Sequence, residues 1–213
     1  MKGLFLDNFY KTINNMKLFA ILVFAVAIAL LVTGNDTIME LFVYISITAL
    51  SVNAVSSMRK DADAKWNKYE LTLPVTRKDI IKCKYISYLF WVLIGTGIAA
   101  VFTGLAVLIH GNVFFVFGSR DVISLFALGI GIAMMVGALF YPMSYLFGID
   151  KSETLLVVSV IGGVGLAVFL IWVINRGEVL NYYPRLGIFV LTYILIFAAS
   201  YLFTRSIYIK KEF

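Results

Sequence analysis

Side chains able to do chemistry are scarce in this sequence, and most of them gather in one stretch. Between Arg59 and Leu73 stand Asp61, Asp63, Lys65 and Lys68, together with the aromatics Trp66 and Tyr69. Ala62, Trp66, Tyr69 and Leu73 recur at i, i+4, i+7 and i+11, the spacing of one apolar helix face. An aromatic face ringed by charges of both signs is equipped to recognise a protein surface, because buried aromatic anchors carry much of the energy of such contacts. The same stretch also reads as a plain solvated loop resting on anionic lipid headgroups. Asp61 and Lys65 are spaced to pair at i, i+4 with the acid first.

A second set is polar but lies within an apolar run. Ser46, Asn53 and Ser57 fall within about 40° of one another on a helix, with Ser56 beside them. Glu40, Thr48 and Ser51 fall on the other side. Glu40, Ser46 and Asn53 read either as part of a translocation surface or as helix-packing residues, since small and hydroxyl side chains serve both ends in a membrane. Catalytic and metal chemistry have little to work with. The single cysteine, Cys83, excludes an internal disulfide, and the single histidine, His110, reads as a solvated interface residue rather than a proton carrier. No G-x-x-x-x-G-K-[ST] run is present, so this chain is not expected to bind ATP in that way. Gly162, Gly163 and Gly165 have no lysine after them and sit in an apolar run, where they suit close helix packing.

The elements that must position these residues are membrane spans. Of the 213 residues, 62% are hydrophobic and 14% charged, with a mean hydropathy of +0.95. A water-soluble fold cannot hide that much apolar surface, whereas a bilayer can. Six apolar runs follow one another: Leu18–Thr33, Ile38–Met58, Tyr85–Ile109, Val122–Phe147, Thr154–Ile174 and Leu186–Thr204. A span needs about 20 residues, and Met16 with a snorkelling Lys17 extends the short first run. No small-x-small cleavage site follows that run, so it reads as a span rather than a cleaved signal. The predicted fold is all-α and polytopic, a single transmembrane domain over 1–213. Its longest connection, 59–84, is too short to fold as a domain of its own.

Basic residues set the expected orientation. Residues 2–17, 59–84, 151 and 205–211 hold fifteen lysines and arginines, whereas the alternate segments hold only Arg120, Arg176 and Arg185. The positive-inside rule puts the first group, and both termini, in the cytoplasm. The net charge of +6 is therefore read as a record of topology rather than as a nucleic-acid footprint, and no nucleic-acid partner is expected. Residues 4–16 pattern as an amphipathic interfacial helix: Phe5, Leu6, Phe9, Tyr10, Ile13 and Met16 share one side, Asp7, Asn8, Lys11, Thr12, Asn14 and Asn15 the other, and Leu4 is the exception. Trp91, Tyr182 and Tyr183 fall near the expected interfaces, as an aromatic belt would.

Two local signals frame the long second connection. Pro74 ends the helix begun at Arg59. Thr76 followed by Asp79 forms a capping box, with Val75 and Ile80 spaced as a hydrophobic staple, so a new helix starts there and runs into the third span. In the fourth span Gly129, Gly131, Gly137 and Pro142 read either as a gating bend or as a static kink whose freed backbone groups are satisfied by neighbours.

The run Trp66-Asn67-Lys68-Tyr69-Glu70-Leu71-Thr72-Leu73-Pro74-Val75-Thr76-Arg77, then Lys78-Asp79-Ile80-Ile81 and Lys84-Tyr85, resembles the corresponding stretch of ABC-2 type exporter permeases. The amphipathic N-terminus, six spans and long second connection extend that resemblance over nearly the whole chain, to the small bacterial six-span group that exports phenol-soluble modulins and antimicrobial peptides. The resemblance implies that 59–84 carries a cytoplasmic coupling helix. Asp61, Asp63, Lys65, Trp66, Lys68 and Tyr69 would there meet a separate ATP-binding subunit, which would hold the ATP and magnesium, leaving no cofactor on this chain. It further implies a bacterial cytoplasmic membrane, a second permease chain of the same or a related sequence, and an amphipathic peptide cargo, with lipophilic drugs or antibiotics as the alternative. The short outer connection Asn175–Arg185 departs from larger members, which place re-entrant helices there.

Other functional classes fit less well. An ion-coupled carrier places ionisable residues at mid-membrane, where only the peripheral Glu40 is on offer. An intramembrane enzyme needs a nucleophile–base pair or a metal set. A sensor or accessory subunit without ATP coupling stays open, and co-purification discriminates it.

Overall fold

The computed structural model describes residues 2–63, 66, 76–111, 114–115, 118–175 and 182–210. Among them are seven α-helices and no strand: α1 (Lys2–Asn14), α2 (Met16–Thr33), α3 (Asp36–Asp63), α4 (Arg77–His110), α5 (Ser119–Phe147), α6 (Ser152–Asn175) and α7 (Tyr182–Lys210). A 3₁₀ turn, Ile149–Lys151, leads into α6. The six helices α2 to α7 each carry a window long and apolar enough to cross a bilayer. In α3 and α5, 56% of that window is buried by the protein itself, against 17% in α2, α6 and α7. The bundle is therefore built around α3 and α5, with the other helices turning apolar side chains outward, as a lipid solvent permits.

Several helices outrun their apolar segments. α4 has 34 residues, about 51 Å at 1.5 Å per residue, against a hydrocarbon core of about 30 Å. α3 passes without a break from its apolar run to Asp63, and Trp66 is also helical, so the expected helix at Arg59 is a continuation of the second span. The Leu73-Pro74-Val75 junction and the Val75 half of the staple lie outside the described residues.

The start of α4 follows local chemistry. Thr76 adopts an extended backbone (φ −80°, ψ 151°), and its hydroxyl accepts the Asp79 N–H at 3.2 Å. The same hydroxyl donates to Asp79 Oδ2 at 2.7 Å, a variant of the capping box in which the acid meets the hydroxyl rather than the backbone. That bond holds the Asp79 carboxyl below the usual carboxylate range. The cap is thus fully supported above the ordinary carboxylate pKa and is lost as pH falls through the depressed value.

Two ends can be told apart by contacts. At one, here called the basic end, Arg59 meets Glu153 at 3.3 Å and Arg77 Nη1 donates to the Ile209 carbonyl at 3.1 Å. These contacts gather α3, α4, α6 and the close of α7. At the opposite end α2 stops at Gly34, whose left-handed backbone (φ 60°) returns its N–H to the Leu30 carbonyl. The His110 ring packs over that glycine, with Nε2 2.9 Å from the Leu31 carbonyl. His110 is therefore half-buried and engaged, not solvated as its place in the sequence implied.

The proline in α5 is satisfied by a neighbouring helix. Pro142 has no N–H, so the carbonyl four residues earlier, Ala138, lacks its helical donor. Ser200 of α7 donates its hydroxyl to Ala138 O at 2.7 Å. Tyr85 Oη lies 2.9 Å from both Ser200 Oγ and Thr204 Oγ1, and its ring stacks on Tyr141. A hydrogen bond from α7 to the carbonyl that the proline frees fits the static-kink reading better than a free hinge. Gly163 brings α6 against the α5 backbone at Val136, the close packing expected of the fifth span.

Candidate functional site

The polar residues of the basic end converge on one buried charge cluster. Lys11 Nζ lies 2.6 Å from Asp7 Oδ2, one turn earlier on α1, and 2.7 Å from Asp61 Oδ1 on α3. The other Asp61 oxygen lies 4.0 Å from Lys84 Nζ on α4. Asp61 is 2% exposed and Lys84 5%. Charges this deep persist only as compensated sets, and two acids here face two bases. Lys11 Nζ also sits 4.3 Å from the centre of the Trp66 ring. The cluster joins the N-terminal helix, the extension of α3 and the first turns of α4 at a single carboxylate.

The packing of α1 makes this possible. Leu4, Asn8 and Thr12, spaced i, i+4, i+8, are buried against α3 and α4, whereas Leu6, Tyr10 and Ile13 face outward. The helix is amphipathic as its sequence indicates. Its polar side, however, is applied to protein, and part of its apolar side is left for lipid. Leu4, the exception to the apolar arc, belongs to the inward stripe. Asn8 Nδ2 approaches Cys83 Sγ at 3.9 Å, and Phe9 stacks on Trp91 with ring centres 5.4 Å apart. Trp91 is 2% exposed beneath α1 and is not part of an interfacial belt.

Each sequence-derived candidate can now be placed. Asp61 is inside the cluster and presents almost no surface. Asp61 meets Lys11 and Lys84, while Lys65, the other half of the expected i, i+4 pair, lies outside the described residues. Trp66 is half-buried with Lys11 against its ring, so its helix face does have a partner within the chain. Asp63 closes α3, although its side chain is not described, and Lys65, Lys68 and Tyr69 lie outside the described residues.

Asn53 is fully buried, and its Nδ2 donates at 3.1 Å to the carbonyl of Thr12, in the last turn of α1. That carbonyl also accepts the Asn15 N–H at 3.1 Å, so Asn53 adds a second bond at the close of α1. Ser46 is fully buried where α3 packs closely on α4: a side chain at Gly95 would come within 2.9 Å of the Ser46 carbonyl. Glu40 is at the opposite end, in a cavity of about 330 Å³ shared with Asp36, Tyr44, Phe114, Asp121 and Ser124. The structure therefore brings Asn53 towards the α1 junction, leaves Glu40 roughly 20 Å away along α3, and does not unite the three on one surface.

Sequence reasoning missed Lys11 and Lys84 as partners of Asp61. One signal was available: Lys84 stands between Cys83 and Tyr85 at the mouth of an apolar run, a position where an unpaired ammonium is costly. The described residues hold no group of His, Cys, Asp and Glu fit to bind a metal. The geometry is that of a charge-paired joint between α1, α3 and α4.

A family model described as ABC-2 family transporter protein matches residues 3–209. No curated protein and no solved structure matches the chain significantly. The family match runs from the first turn of α1 to the last turn of α7 and takes in the whole six-span bundle. The chain thus belongs to the ABC-2 family of transporter proteins, as the multi-pass membrane permease component of an ABC transporter.

Proposed function

We propose that this permease is driven by a separate ATP-binding subunit that pushes on the extension of α3, and that it exports an amphipathic peptide from the bacterial cytoplasm. The observation that carries the coupling half is the Asp61 joint. α3 leaves its apolar run as an uninterrupted helix, and Asp61 ties it to Lys11 of α1 and Lys84 of α4. A push on residues 59–73 would move three helices together as one rigid body. Trp66, Tyr69 and the charges around them would form the docking face, and the fifteen-to-three basic bias supports a cytoplasmic location for it and for both termini.

Six spans enclose too little to form a wide path alone, so two permease chains pair with two ATP-binding subunits, and the path runs between the permeases. Alternating access then follows as closure of the ATP-binding subunits tilts α3 and the helices bolted to it. Asn53 contributes by holding α1 to α3, and Glu40 lines the polar cavity at the far end of that helix. The walls are rich in Phe, Leu, Val and Ile, with few fixed charges at depth. That favours a cargo with an apolar face that can enter sideways from the inner leaflet, and a lipophilic drug is the second reading.

The test is ATPase activity of the reconstituted complex, titrated with amphipathic peptides and separately with lipophilic drugs. Stimulation by peptides supports the peptide reading. Stimulation by drugs alone removes it and leaves the exporter architecture intact.

A further inference from the structure

The Asp61 joint gathers α1, α3 and α4 but does not itself reach α5 or α7. α4 and α7 run antiparallel and meet at two levels. At the deeper level the Tyr85 hydroxyl lies 2.9 Å from both Ser200 Oγ and Thr204 Oγ1, and Tyr88 stacks on Phe197 one turn further in. At the basic end Arg77 Nη1 donates to the Ile209 carbonyl at 3.1 Å. Eight residues, about 12 Å of helix, separate Arg77 from Tyr85 on α4. Helices held at one level can pivot there. A second tie two turns away fixes the angle between them, so that a tilt of α4 carries α7 with it.

Arg77 stands against the preference of its own helix. It is the first residue of α4, where the positive end of the macrodipole favours acids. The Ile209 carbonyl belongs to the last turn of α7, the negative end, which favours a cation. The basic bias of this side accounts for a positive charge here, as it does for the exposed Lys78 next to it, but not for a guanidinium turned onto a neighbouring helix end. Both ends of the tie are firmly set. The Thr76–Asp79 cap and the buried Ile80 and Ile81 hold the start of α4. Tyr208, beside Ile209, is buried with its ring 5.2 Å from that of Tyr145 on α5, and Ser200 clips α7 to the Ala138 carbonyl of the same helix. By contrast, the Arg59–Glu153 pair between α3 and α6 has side chains 40% and 74% exposed and is weakened by solvent.

We propose that Arg77 is a positioning residue for transport: it passes movement of the 59–76 connection, arriving through α4, to α7 and from there to α5. The inference rests on the reading that an ATP-binding subunit drives this permease. It adds the route by which that motion crosses from α1, α3 and α4 to α5 and α7, and it does not depend on the identity of the cargo.

The test places an environment-sensitive bimane label at one of two lipid-facing positions of the full complex, with Cys83 replaced by Ser. Leu93 on α4 is 67% exposed and Leu191 on α7 is 58% exposed, so a cysteine at either reports the surroundings of its own helix. Fluorescence is compared before and after trapping with ATP and vanadate. In the Arg77-containing complex both labels are expected to respond. In R77A the α4 label keeps its response, which also shows that the variant is folded and still driven by its partner. The α7 response falls about fivefold, the population shift that an exposed charge-assisted hydrogen bond sustains. An α7 response in R77A equal to that with Arg77 present overturns this inference alone, as does an α7 label that stays silent with Arg77 present while the α4 label responds. Silence of both labels with Arg77 present removes the ATP-driven reading itself, and this inference with it.

Discussion

Ser200→Ala probes the support of the α5 proline directly. In the wild type the Ser200 hydroxyl donates to the Ala138 carbonyl that Pro142 leaves without a helical donor. Removing it strands a buried carbonyl in an apolar setting, a loss of about 1–3 kcal/mol in proteins generally. Hydrogen bonds inside membrane bundles average nearer 0.6 kcal/mol and reach about 1.7. Tyr85 also loses one of two hydroxyl neighbours but keeps Thr204 at 2.9 Å, so its share is small. The expected destabilisation is thus ~1–2 kcal/mol, or roughly 5- to 30-fold in the folded-to-unfolded ratio. The informative control is Pro142→Ala, which restores an N–H to Ala138 from within α5. In that background Ser200→Ala should cost less than ~0.6 kcal/mol, giving a coupling near 1 kcal/mol in a double-mutant cycle. Unfolding in mixed micelles titrated with a denaturing detergent measures all four proteins. Equal costs for Ser200→Ala in both backgrounds would refute the compensation argument, because Ser200 would then be supporting something other than the proline.

Three further outcomes follow from the packing. Asp61→Ala removes the buried carboxylate that faces both Lys11 and Lys84 and should destabilise by about 3–5 kcal/mol in the same assay, and adding Lys84→Met should recover part of the loss. Gly95→Ala drives a methyl to 2.9 Å from the Ser46 carbonyl and 3.0 Å from Ile47 Cα, both backbone atoms, at a cost of about 1–3 kcal/mol; Gly97→Ala, two residues on and facing open space, should be neutral or slightly stabilising. With Cys83 replaced by Ser, a single cysteine at Asn112 should react with an impermeant thiol reagent from outside intact cells and one at Lys151 should not, whereas labelling at Lys151 would reverse the assigned topology.

How much was legible in the sequence divides along range. The six spans and the Thr76 cap were readable because each is decided locally, by the length of an apolar run or by groups within one helical turn. The amphipathic pattern of residues 4–16 was also readable, but not which side the protein would cover. Asn8 and Thr12 look like solvent-facing residues until Asn53 and Cys83, 41 and 75 positions away, are placed beside them. The contacts of Asp61 with Lys11 and Lys84 were not readable either, since a carboxylate turned into the bundle meets cations brought to it by other helices. Likewise the sequence indicated that Pro142 needed outside help, while naming Ser200 required knowing how α7 returns past α5. The apolar runs in α3 carried too little information to separate a pathway from a seam. The structure puts Ser46 and Asn53 in seams within one chain and leaves Glu40 on a cavity.

The account rests on force from a separate ATP-binding subunit reaching the spans through α3 and the Asp61 joint. The most direct measurement is ATP-dependent export by the purified complex in proteoliposomes, with the permease wild type or carrying Trp66→Ala, alongside ATP hydrolysis and the subunit composition of each preparation. The account predicts that the tagged wild-type chain purifies with an ATP-hydrolysing subunit. It further predicts that Trp66→Ala lowers export at least tenfold, by loss of that subunit or by hydrolysis that no longer drives transport. A wild-type chain that purifies without such a subunit and transports without ATP would contradict it, as would Trp66→Ala with full complex yield and unchanged ATP-driven export.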